Sequence, residues 1–224
     1  MPISEEILPG LVRIPLKPFE IVNVYLLGDV LVDSGMPFSA DQILAALAGK
    51  GVSAHALTHA HPDHQGSSHA VCSQLEIPLW CGEADRAAME SGDLSALMPN
   101  PASWIARISR SISGPAHPVS RSLKEGDLVA DFMVIETPGH TPGHISFWRE
   151  QDRALVLGDV LFHRNPVTFR RGLQEPFKLA TFDPDLNRAS ARKLAALEPR
   201  VICFGHGPPL LDTKAFLSFV RQLV

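Results

Sequence analysis

The sequence predicts an α/β fold whose functional side chains gather along one rim of its sheets. Each half of the chain begins with strands and then alternates helix with strand, although no sequence repeat is evident. Five predicted strands are followed closely by Asp or His, namely Asp33, His59, His140, Asp159 and His206. Sites in sheet-and-helix proteins usually lie at the carboxyl ends of strands, so these five residues predict one shared site.

The predicted elements of the first half lead to a histidine-rich segment. They are strands over residues 11–17, 21–27 and 30–32, a helix over 39–48 capped by Ser39, a strand over 52–57 and a helix over 65–75. Asp33 follows the third strand, where it either closes a turn or supports a nearby site. Residues 59–64 therefore connect the carboxyl end of a strand to a helix.

The rest of the chain continues this alternation but carries two irregular stretches. Its predicted strands lie over residues 78–81, 132–136, 145–148, 154–157 and 201–204, and its predicted helices over 83–90, 104–112 and 185–197, followed by a closing helix. Asp183 is predicted to cap the helix over 185–197, and Thr213 the closing helix. The stretches 91–118 and 162–181 are long enough to be lids or binding loops. In the first, Leu97, Met98 and Trp104 favour a packed lid over disorder. We therefore predict one domain over residues 1–224 with two lid-like insertions.

The segment His59-Ala-His-Pro-Asp-His64 has the composition of a metal site. Zn²⁺ binds imidazole nitrogen and carboxylate oxygen, and a catalytic site leaves a position for water. His59 and His61 are two residues apart, so both rings lie on one side of an extended backbone and can reach one ion. Asp63 and His64 leave the backbone in different directions and suit a second ion.

Three later residues complete both ligand sets. His140 is predicted as the third ligand of the first ion, and His206 is predicted to join Asp63 and His64 on the second. Asp159 is predicted to bridge the ions, because two neighbouring cations need an anion between them. The predicted metal site therefore consists of seven residues: His59, His61, Asp63, His64, His140, Asp159 and His206.

These motifs resemble those of the metallo-β-lactamase fold superfamily. The resemblance is carried by His59-x-His-x-Asp-His64, Thr137-Pro-Gly-His-Thr-x-Gly-His144, Gly158-Asp159 and Phe204-Gly-His-Gly207, with Asp33 matching an earlier strand-end aspartate. It implies a four-layer αββα sandwich of two mixed β-sheets flanked by helices. It also implies a dinuclear site for two divalent metal ions, Zn²⁺ first, with iron or manganese as alternatives.

Within the superfamily, the paired Thr-Pro-Gly-His motif and the following Gly-Asp-x-Leu-Phe are similar to the glyoxalase II-like branch. That branch implies that His140 binds metal and that His144 is mainly structural. Seventeen residues follow Gly207, so we expect no C-terminal helical domain of the kind that supplies glutathione contacts in glyoxalase II. Quorum-signal lactonases often carry a tyrosine where this sequence has Phe162, which argues against lactonase activity of that type.

A dinuclear site predicts a metal-dependent hydrolase of a small ester, thioester or lactone. In this hypothesis a hydroxide between the ions is the nucleophile, and Asp63 orients it and moves a proton. An apolar lid around Trp104 and the basic stretch that follows Asp159 either suit a small, partly apolar anionic substrate or form solvated surface. The basic residues of that stretch are Arg164, Arg170, Arg171 and Lys178.

Two other functions stay open at this point. The first is an iron oxygenase resembling the persulfide dioxygenases, which would use His59, His140 and Asp159 as a two-histidine, one-carboxylate triad. The second is a metal-binding protein without turnover. Among the remaining histidines, His55 and His69 are interpreted as core residues, and His163 as pocket lining.

Composition narrows the partners and the compartment. The formal net charge is −4 and no Lys/Arg run stands out, so nucleic acid is not an expected partner. No apolar run approaches membrane-spanning length and no signal peptide is visible, so we expect a cytoplasmic protein without membrane association. Three widely spaced cysteines fit a reducing compartment. The expected partner is a small-molecule substrate, and a homodimer is a working hypothesis.

Overall fold

Two mixed β-sheets face one another in the computed structural model, which describes residues 4–17 and 21–223. The first sheet has seven strands in sequence order: β1 (Glu5–Leu8), β2 (Leu11–Leu16), β3 (Val22–Leu27), β4 (Val30–Val32), β5 (Ala54–Ala56), β6 (Leu79–Gly82) and β7 (Val119–Leu123). Strands β1 to β4 pair antiparallel, and β4 to β7 pair parallel. The pairing therefore changes direction at β4, the strand that ends beside Asp33.

The second sheet has five strands, and its order differs from the chain order. Numbered along the chain, they are arranged as β14 (Val201–Cys203), β11 (Ala154–Val156), β10 (Ile145–Arg149), β9 (Phe132–Glu136) and β8 (Leu128–Val129). β14 pairs parallel with β11, and the other neighbours are antiparallel. Two further strands, β12 (Phe162–Arg164) and β13 (Arg171–Gln174), form a separate hairpin.

The described residues form seven α-helices that connect or cover the sheets. They are α1 (Ala40–Leu47), α2 (Pro62–Gln65), α3 (Ser68–Leu75), α4 (Arg86–Ser91), α5 (Trp104–Ser111), α6 (Pro184–Ala195) and α7 (Thr213–Arg221). Short 3-10 helices lie at Glu83–Asp85, Leu94–Leu97 and Lys178–Ala180. Within the described ranges, no helix has both the length and the apolar character needed to cross a membrane.

The strands bury both faces, which produces four layers. Tyr25 of β3 packs in the central core with Phe132 and Phe147 of the second sheet. The neighbouring residue of β3, Val24, points the opposite way and packs beneath α1 and α3. On the far side, residues of the second sheet such as Trp148 pack against α6 and α7. This arrangement confirms the predicted α/β fold of mixed sheets flanked by helices.

The helix predicted over residues 65–75 is interrupted at Gly66. Helix α2 ends at Gln65, and α3 begins at Ser68. A Cβ atom on Gly66 would lie 2.5 Å from backbone atoms of Met36 and Pro37, so only glycine permits this close approach. The break brings α2, with two predicted metal ligands, against the segment that follows β4. The prediction of one continuous helix was therefore wrong.

The caps of the last two helices are both aspartates. Asp183 accepts hydrogen bonds from the backbone N–H groups of Asp185 and Leu186, both at 3.0 Å, which confirms its predicted role. Thr213 is not the cap of α7, because Asp212 accepts from the N–H of Ala215 at 3.0 Å. The Thr213 hydroxyl instead donates to the carbonyl of Pro199, outside the helix. Both Asp and Thr can cap a helix, but here the Thr213 hydroxyl is engaged by the Pro199 carbonyl and Asp212 is the cap.

The two irregular stretches contain secondary structure of their own. Within residues 91–118, Leu97 and Met98 are buried, as a packed segment requires. Trp104 of α5 is exposed, so the expectation that it packs was wrong, and Ile108 of the same helix is exposed as well. Residues 162–181 contain the β12–β13 hairpin and a 3-10 helix. The role of either stretch as a lid stays a prediction.

Candidate metal centre

The predicted site residues converge at one edge of both sheets. Strands β4, β5, β9, β11 and β14 end one to four residues before Asp33, His59, His140, Asp159 and His206 respectively. His61, Asp63 and His64 follow His59 through the start of α2. All of these side chains are buried except Asp63, which is 31% exposed. The structure thus brings together all seven predicted ligands, whose binding of metal stays a prediction.

The first group of potential ligands consists of three histidines, His59, His61 and His140. Nδ1 of His61 lies 2.9 Å from Nε2 of His140. The ring of His59 lies 4.8 Å from each of the other two rings, measured between centroids. Three imidazoles at this spacing present nitrogen donors to one point, which is the arrangement that a divalent transition metal ion accepts.

The second group consists of Asp63, His64 and His206. Oδ2 of Asp63 lies 3.3 Å from Nε2 of His206 and 4.0 Å from Nε2 of His64. Asp159 lies between this group and the first. Its Oδ2 atom is 3.1 Å from His206 Nε2 and 3.5 Å from His140 Nε2, so one carboxylate oxygen reaches both groups.

Hydrogen bonds on the far side orient most of the histidine rings. Four Nδ1 atoms have such partners: His59 with Thr58 Oγ1 at 3.0 Å, His64 with Asp33 Oδ2 at 2.9 Å, His140 with Thr181 Oγ1 at 3.3 Å and His206 with the Ile21 carbonyl at 2.8 Å. A partner on Nδ1 leaves Nε2 free to bind a metal ion, and such bonds also set the ring orientation.

Asp33 supports the site, which resolves the two interpretations of this residue. One carboxylate oxygen accepts the Thr58 backbone N–H at 2.8 Å, and the other accepts the Thr58 hydroxyl at 2.8 Å and faces His64. Thr58 in turn contacts Nδ1 of His59. Asp33 therefore holds one histidine of each group, one directly and one through Thr58.

Several buried polar atoms at the centre have no hydrogen-bond partner among the described residues. They are Nε2 of His59, His61 and His64, and Oδ1 of Asp159. A buried polar atom left without a partner costs about 1–3 kcal/mol. Of these atoms, Nε2 of His59 and Nε2 of His64 face Oδ2 of Asp159, at 3.9 Å and 3.3 Å. Imidazole nitrogens without partners beside a carboxylate oxygen fit the donor set of divalent metal ions. The residues present therefore match the predicted metal centre.

The electrostatics differ between the two groups. Desolvation lowers the pKa of His59 and His140 well below the ordinary value, and that of His61 to about 4, so this group is neutral and ready to bind metal. Desolvation also opposes the charge on His206, but the Asp159 carboxylate outweighs it and raises the pKa of His206 to about 10. A metal ion in the second group therefore competes with protons.

The other histidines have separate roles. His144 hydrogen bonds through both ring nitrogens, to Thr137 Oγ1 at 2.8 Å and to the Asp159 backbone N–H at 3.1 Å, as its expected structural role requires. His55 is buried and bonded to Leu31 and Ser68, which confirms it as a core residue.

Two histidine predictions need correction or refinement. His69 is exposed and lies beside His117, with 3.3 Å between their Nδ1 atoms, so the interpretation of His69 as a core residue was wrong. His163, predicted as pocket lining, packs on Phe204 and donates through Nδ1 to the carbonyl of Pro208. It belongs to neither of the two ligand groups.

Sequence reasoning missed one buried carboxylate close to the site, Asp85. It follows β6 and accepts hydrogen bonds from the Ala60 backbone N–H, the Thr141 hydroxyl and the Gly143 backbone N–H. Its position at the end of a buried strand, like that of Asp33, was a signal in the sequence. The prediction of a helix over residues 83–90 hid that signal.

Two cavities border Asp63 and provide space for a substrate. The first has a volume of about 280 Å³ and is lined by Leu16, Lys17, Ile21, Val22, Met36, Phe38, Ser39, Asp63 and Pro166. The second has a volume of about 210 Å³ and is lined by Met36, His61, Pro62, Asp63, Met98, Ser109, Ile112 and Ala180. The first lining is mainly apolar, so a polar centre adjoins an apolar cavity.

A family model described as the metallo-β-lactamase superfamily matches residues 18–206. The chain belongs to the metallo-β-lactamase superfamily. It is 33% identical over 233 residues to the probable metallo-hydrolase YflN of Bacillus subtilis, an alignment that covers 91% of this chain and 87% of that protein. It is also 33% identical over 134 residues to a hydroxyacylglutathione hydrolase of Rhodospirillum rubrum, covering 56% of this chain and 41% of that enzyme.

Solved structures of the superfamily share the fold. TTHA1623, crystallised in a di-iron-bound form, matches with a TM-score of 0.71 at 27% identity and covers 94% of this chain and 97% of its own. BJP-1, a subclass B3 metallo-β-lactamase of Bradyrhizobium japonicum, matches with a TM-score of 0.70 at 20% identity, covering 99% of this chain and 90% of its own. The predicted superfamily is thus confirmed, and membership among metallo-hydrolases supports a hydrolase.

Proposed function

We propose that this protein is a dinuclear metal-dependent hydrolase that acts on a small ester, thioester or lactone. The position of the Asp159 carboxylate supports this most directly. Its Oδ2 atom lies 3.5 Å from the nearest nitrogen of His140 in the first group and 3.1 Å from that of His206 in the second. One anionic oxygen between two donor groups suits a ligand shared by two cations.

The proposed ligand sets follow the two groups. His59, His61 and His140 would hold one ion, and the second group, Asp63 with His64 and His206, would hold the other, with Asp159 shared. Zn²⁺ is the first choice, and iron or manganese the alternatives, because these metals accept imidazole and carboxylate together. Bound cations would polarise a substrate carbonyl and lower the pKa of water toward neutrality.

Asp63 is proposed as the residue that orients the attacking water. It is the most exposed of the seven residues and lines both cavities, so its carboxylate lies where water and substrate enter. Although desolvation opposes ionisation, the charges of His64 and His206 hold the pKa of Asp63 below its ordinary value. An ionised carboxylate accepts a hydrogen bond from water and aims its oxygen at the carbonyl carbon.

The two cavities support a substrate with an apolar arm. Leu16, Val22 and Phe38 are among the apolar residues that line the first cavity beside Asp63. Burial of a hydrocarbon group there would contribute about 0.8 kcal/mol per CH₂. Lys17 at the same cavity offers a positive charge for an anionic group. The proposed substrate is therefore a small, partly apolar molecule with an anionic group.

One alternative is an oxygenase with a single iron. TTHA1623 was crystallised in a di-iron-bound form, which supports iron as a metal for this donor set, and two histidines with one carboxylate are the iron ligands of such oxygenases. His59, His140 and Asp159 provide such a triad, with 3.9 Å and 3.5 Å from Asp159 Oδ2 to Nε2 of His59 and His140. This triad would use only part of the donor set, which is why the dinuclear hydrolase is preferred.

Elemental analysis combined with a substrate panel tests the proposal. We expect two equivalents of zinc per chain, a fall to one or none in His140→Ala, and no change in His69→Ala, which removes an exposed histidine outside the site. We also expect hydrolysis of at least one ester, thioester or lactone. Two bound metal ions without hydrolysis of any compound would contradict the hydrolase. One iron with oxygen uptake on glutathione persulfide would identify the oxygenase.

A further inference from the structure

Asp85 lies where two loops with proposed metal ligands meet. Its Oδ2 atom accepts hydrogen bonds from the Ala60 backbone N–H at 3.0 Å and from the Thr141 hydroxyl at 2.7 Å. Its Oδ1 atom accepts the Gly143 backbone N–H at 2.7 Å. Ala60 lies between His59 and His61, and Thr141 directly follows His140. One side chain therefore contacts both loops that supply the three-histidine group.

These contacts cross between the two sheets. Ala60 belongs to the loop after β5 of the first sheet, whereas Thr141 and Gly143 belong to the loop between β9 and β10 of the second. Asp85 follows β6 and is fully buried at this junction. A buried hydrogen bond resists displacement because its groups cannot turn to water instead. Asp85 thus joins the two loops, beside a direct backbone hydrogen bond from the Ile145 N–H to the Thr58 carbonyl at 2.9 Å.

Close packing leaves little freedom at this junction. A Cβ atom on Gly143 would overlap the backbone and the carboxylate of Asp85, and one on Gly82 would overlap the carbonyl of Gly143. Two glycines therefore allow the loops to approach Asp85 closely. The space at position 85 thus matches the size of an aspartate side chain, and three hydrogen-bond donors surround its carboxylate.

We propose that Asp85 is a positioning residue that sets the spacing of His59, His61 and His140 and thereby the metal affinity of this group. The proposal rests on the proposed metal centre. Among the described residues, Asp85 has no hydrogen bond to Asp63, His64 or His206 themselves. We therefore expect its effect mainly at the three-histidine group, because Asp63 and His64 lie further along the same segment, within α2.

Asparagine at position 85 would keep the shape of the side chain but could not accept all three hydrogen bonds. Two oxygens accept from three donors, and an amide has only one oxygen, so its NH₂ group would face at least one backbone N–H. That donor would stay buried without an acceptor, and the loop that carries it would shift. Loss of a partner that orients metal ligands typically weakens metal binding about 10–100-fold.

The test uses full-length protein in which only one group of ligands remains. His206→Ala leaves the three-histidine group intact, whereas His61→Ala leaves the group of Asp63, His64 and His206. Zn²⁺ affinity is measured by chelator competition in each background, with and without Asp85→Asn. Asp41→Asn, which removes an exposed carboxylate on α1, is the control for the change of charge.

We expect Asp85→Asn to weaken Zn²⁺ binding about 10–100-fold in the His206→Ala background. In the His61→Ala background the change should stay within about twofold. Equal losses in both backgrounds, or no loss in either, would overturn the proposal. Absence of Zn²⁺ binding in both backgrounds before Asp85 is changed would overturn the dinuclear site itself, and the role of Asp85 with it.

A milder variant covers the case in which Asp85→Asn does not fold. Thr141→Val removes one of the three hydrogen bonds and nearly preserves the volume of the side chain. It should weaken Zn²⁺ binding in the His206→Ala background about two- to tenfold, the effect of one hydrogen bond. An unchanged affinity in this variant would count against the proposal whether or not Asp85→Asn folds.

Discussion

Nδ1 of His64 lies 2.9 Å from Oδ2 of Asp33, and both side chains are buried. The same carboxylate accepts the backbone N–H and the hydroxyl of Thr58, which contacts His59. Asp33 itself has a φ angle of +63°, a conformation that non-glycine residues seldom adopt. The chain therefore holds a strained residue at this point, and its carboxylate orients one histidine of each proposed ligand group.

Asp33→Asn is expected to weaken metal binding at both ion sites. Both carboxylate oxygens of Asp33 accept hydrogen bonds, whereas an amide has only one oxygen that can accept. The hydrogen bonds to Thr58 and His64 could not all form, so the rings of His59 and His64 would be less well oriented for metal. We expect a loss of affinity of about 10–100-fold, measured by chelator competition. Asp41→Asn, with the same change of charge on the surface, should bind metal as the wild type does. A loss at Asp33→Asn of less than about twofold would show that Asp33 serves the turn alone.

The apolar cavity beside Asp63 predicts a dependence on acyl chain length. For a series of p-nitrophenyl esters, kcat/KM should rise by up to about fourfold for each added CH₂ until the cavity is full. Phe38→Ala should flatten this rise without unfolding the protein, because Phe38 lines the cavity but is 70% exposed.

The matched control for Phe38→Ala is Leu211→Ala, which shortens an apolar side chain that is 71% exposed and lies outside this cavity. The control should keep the wild-type dependence on chain length. A rise that is equally steep in both variants would mean that the acyl chain lies elsewhere, and a flat series in the wild type would remove the apolar arm from the proposed substrate.

His55 predicts that the metal-free protein loses stability in mild acid. Desolvation lowers the pKa of His55 from 6.5 to about 4, because its ring is buried and bonds as the neutral form to Leu31 and Ser68. Below pH 6.5 His55 is therefore protonated in the unfolded chain but stays neutral in the folded protein until the pH approaches 4. Stability from this group is fully present above pH 6.5 and is lost as pH falls toward 4, by about 3 kcal/mol in all.

Urea unfolding at pH 7 and pH 4.5 measures this contribution. His55→Asn can still donate to the Leu31 carbonyl but cannot take up a proton in this range. The variant should be less stable than the wild type at pH 7 and should lose less stability between the two pH values. An equal loss in both proteins would show that His55 does not contribute to the acid response.

The cysteines are expected to be unreactive in the folded protein. Cys72, Cys81 and Cys203 are free and buried, and burial raises the pKa of Cys72 and Cys203 to about 12. The thiolate is the reactive form, so excess Ellman's reagent at pH 8 should label no thiol in the native state and three in urea. Rapid labelling of one thiol without denaturant would show that its surroundings open readily.

Gly66 and Asp85 show where prediction from the sequence ended. The break after α2 depends on contact with residues 36–37, about thirty positions earlier, which no local pattern records. The partners of Asp85 lie 25, 56 and 58 residues away. Residues 83–91 are helical, as the local propensity predicted, but that propensity gives no information about the distant donors that the Asp85 carboxylate accepts.

Local spacing was enough for four of the candidate ligands, His59, His61, Asp63 and His64, because they lie within six consecutive residues. The other three were inferred from their positions after predicted strands, and the four-layer sandwich from the resemblance to a known family. Only the tertiary structure decided which side chains support those ligands, because Asp33 and Asp85 act through partners on other strands and loops. It also decided that an apolar cavity opens beside Asp63, since its walls come from separate segments of the chain, around residues 16–22, 36–39 and 166, that meet only in the folded protein.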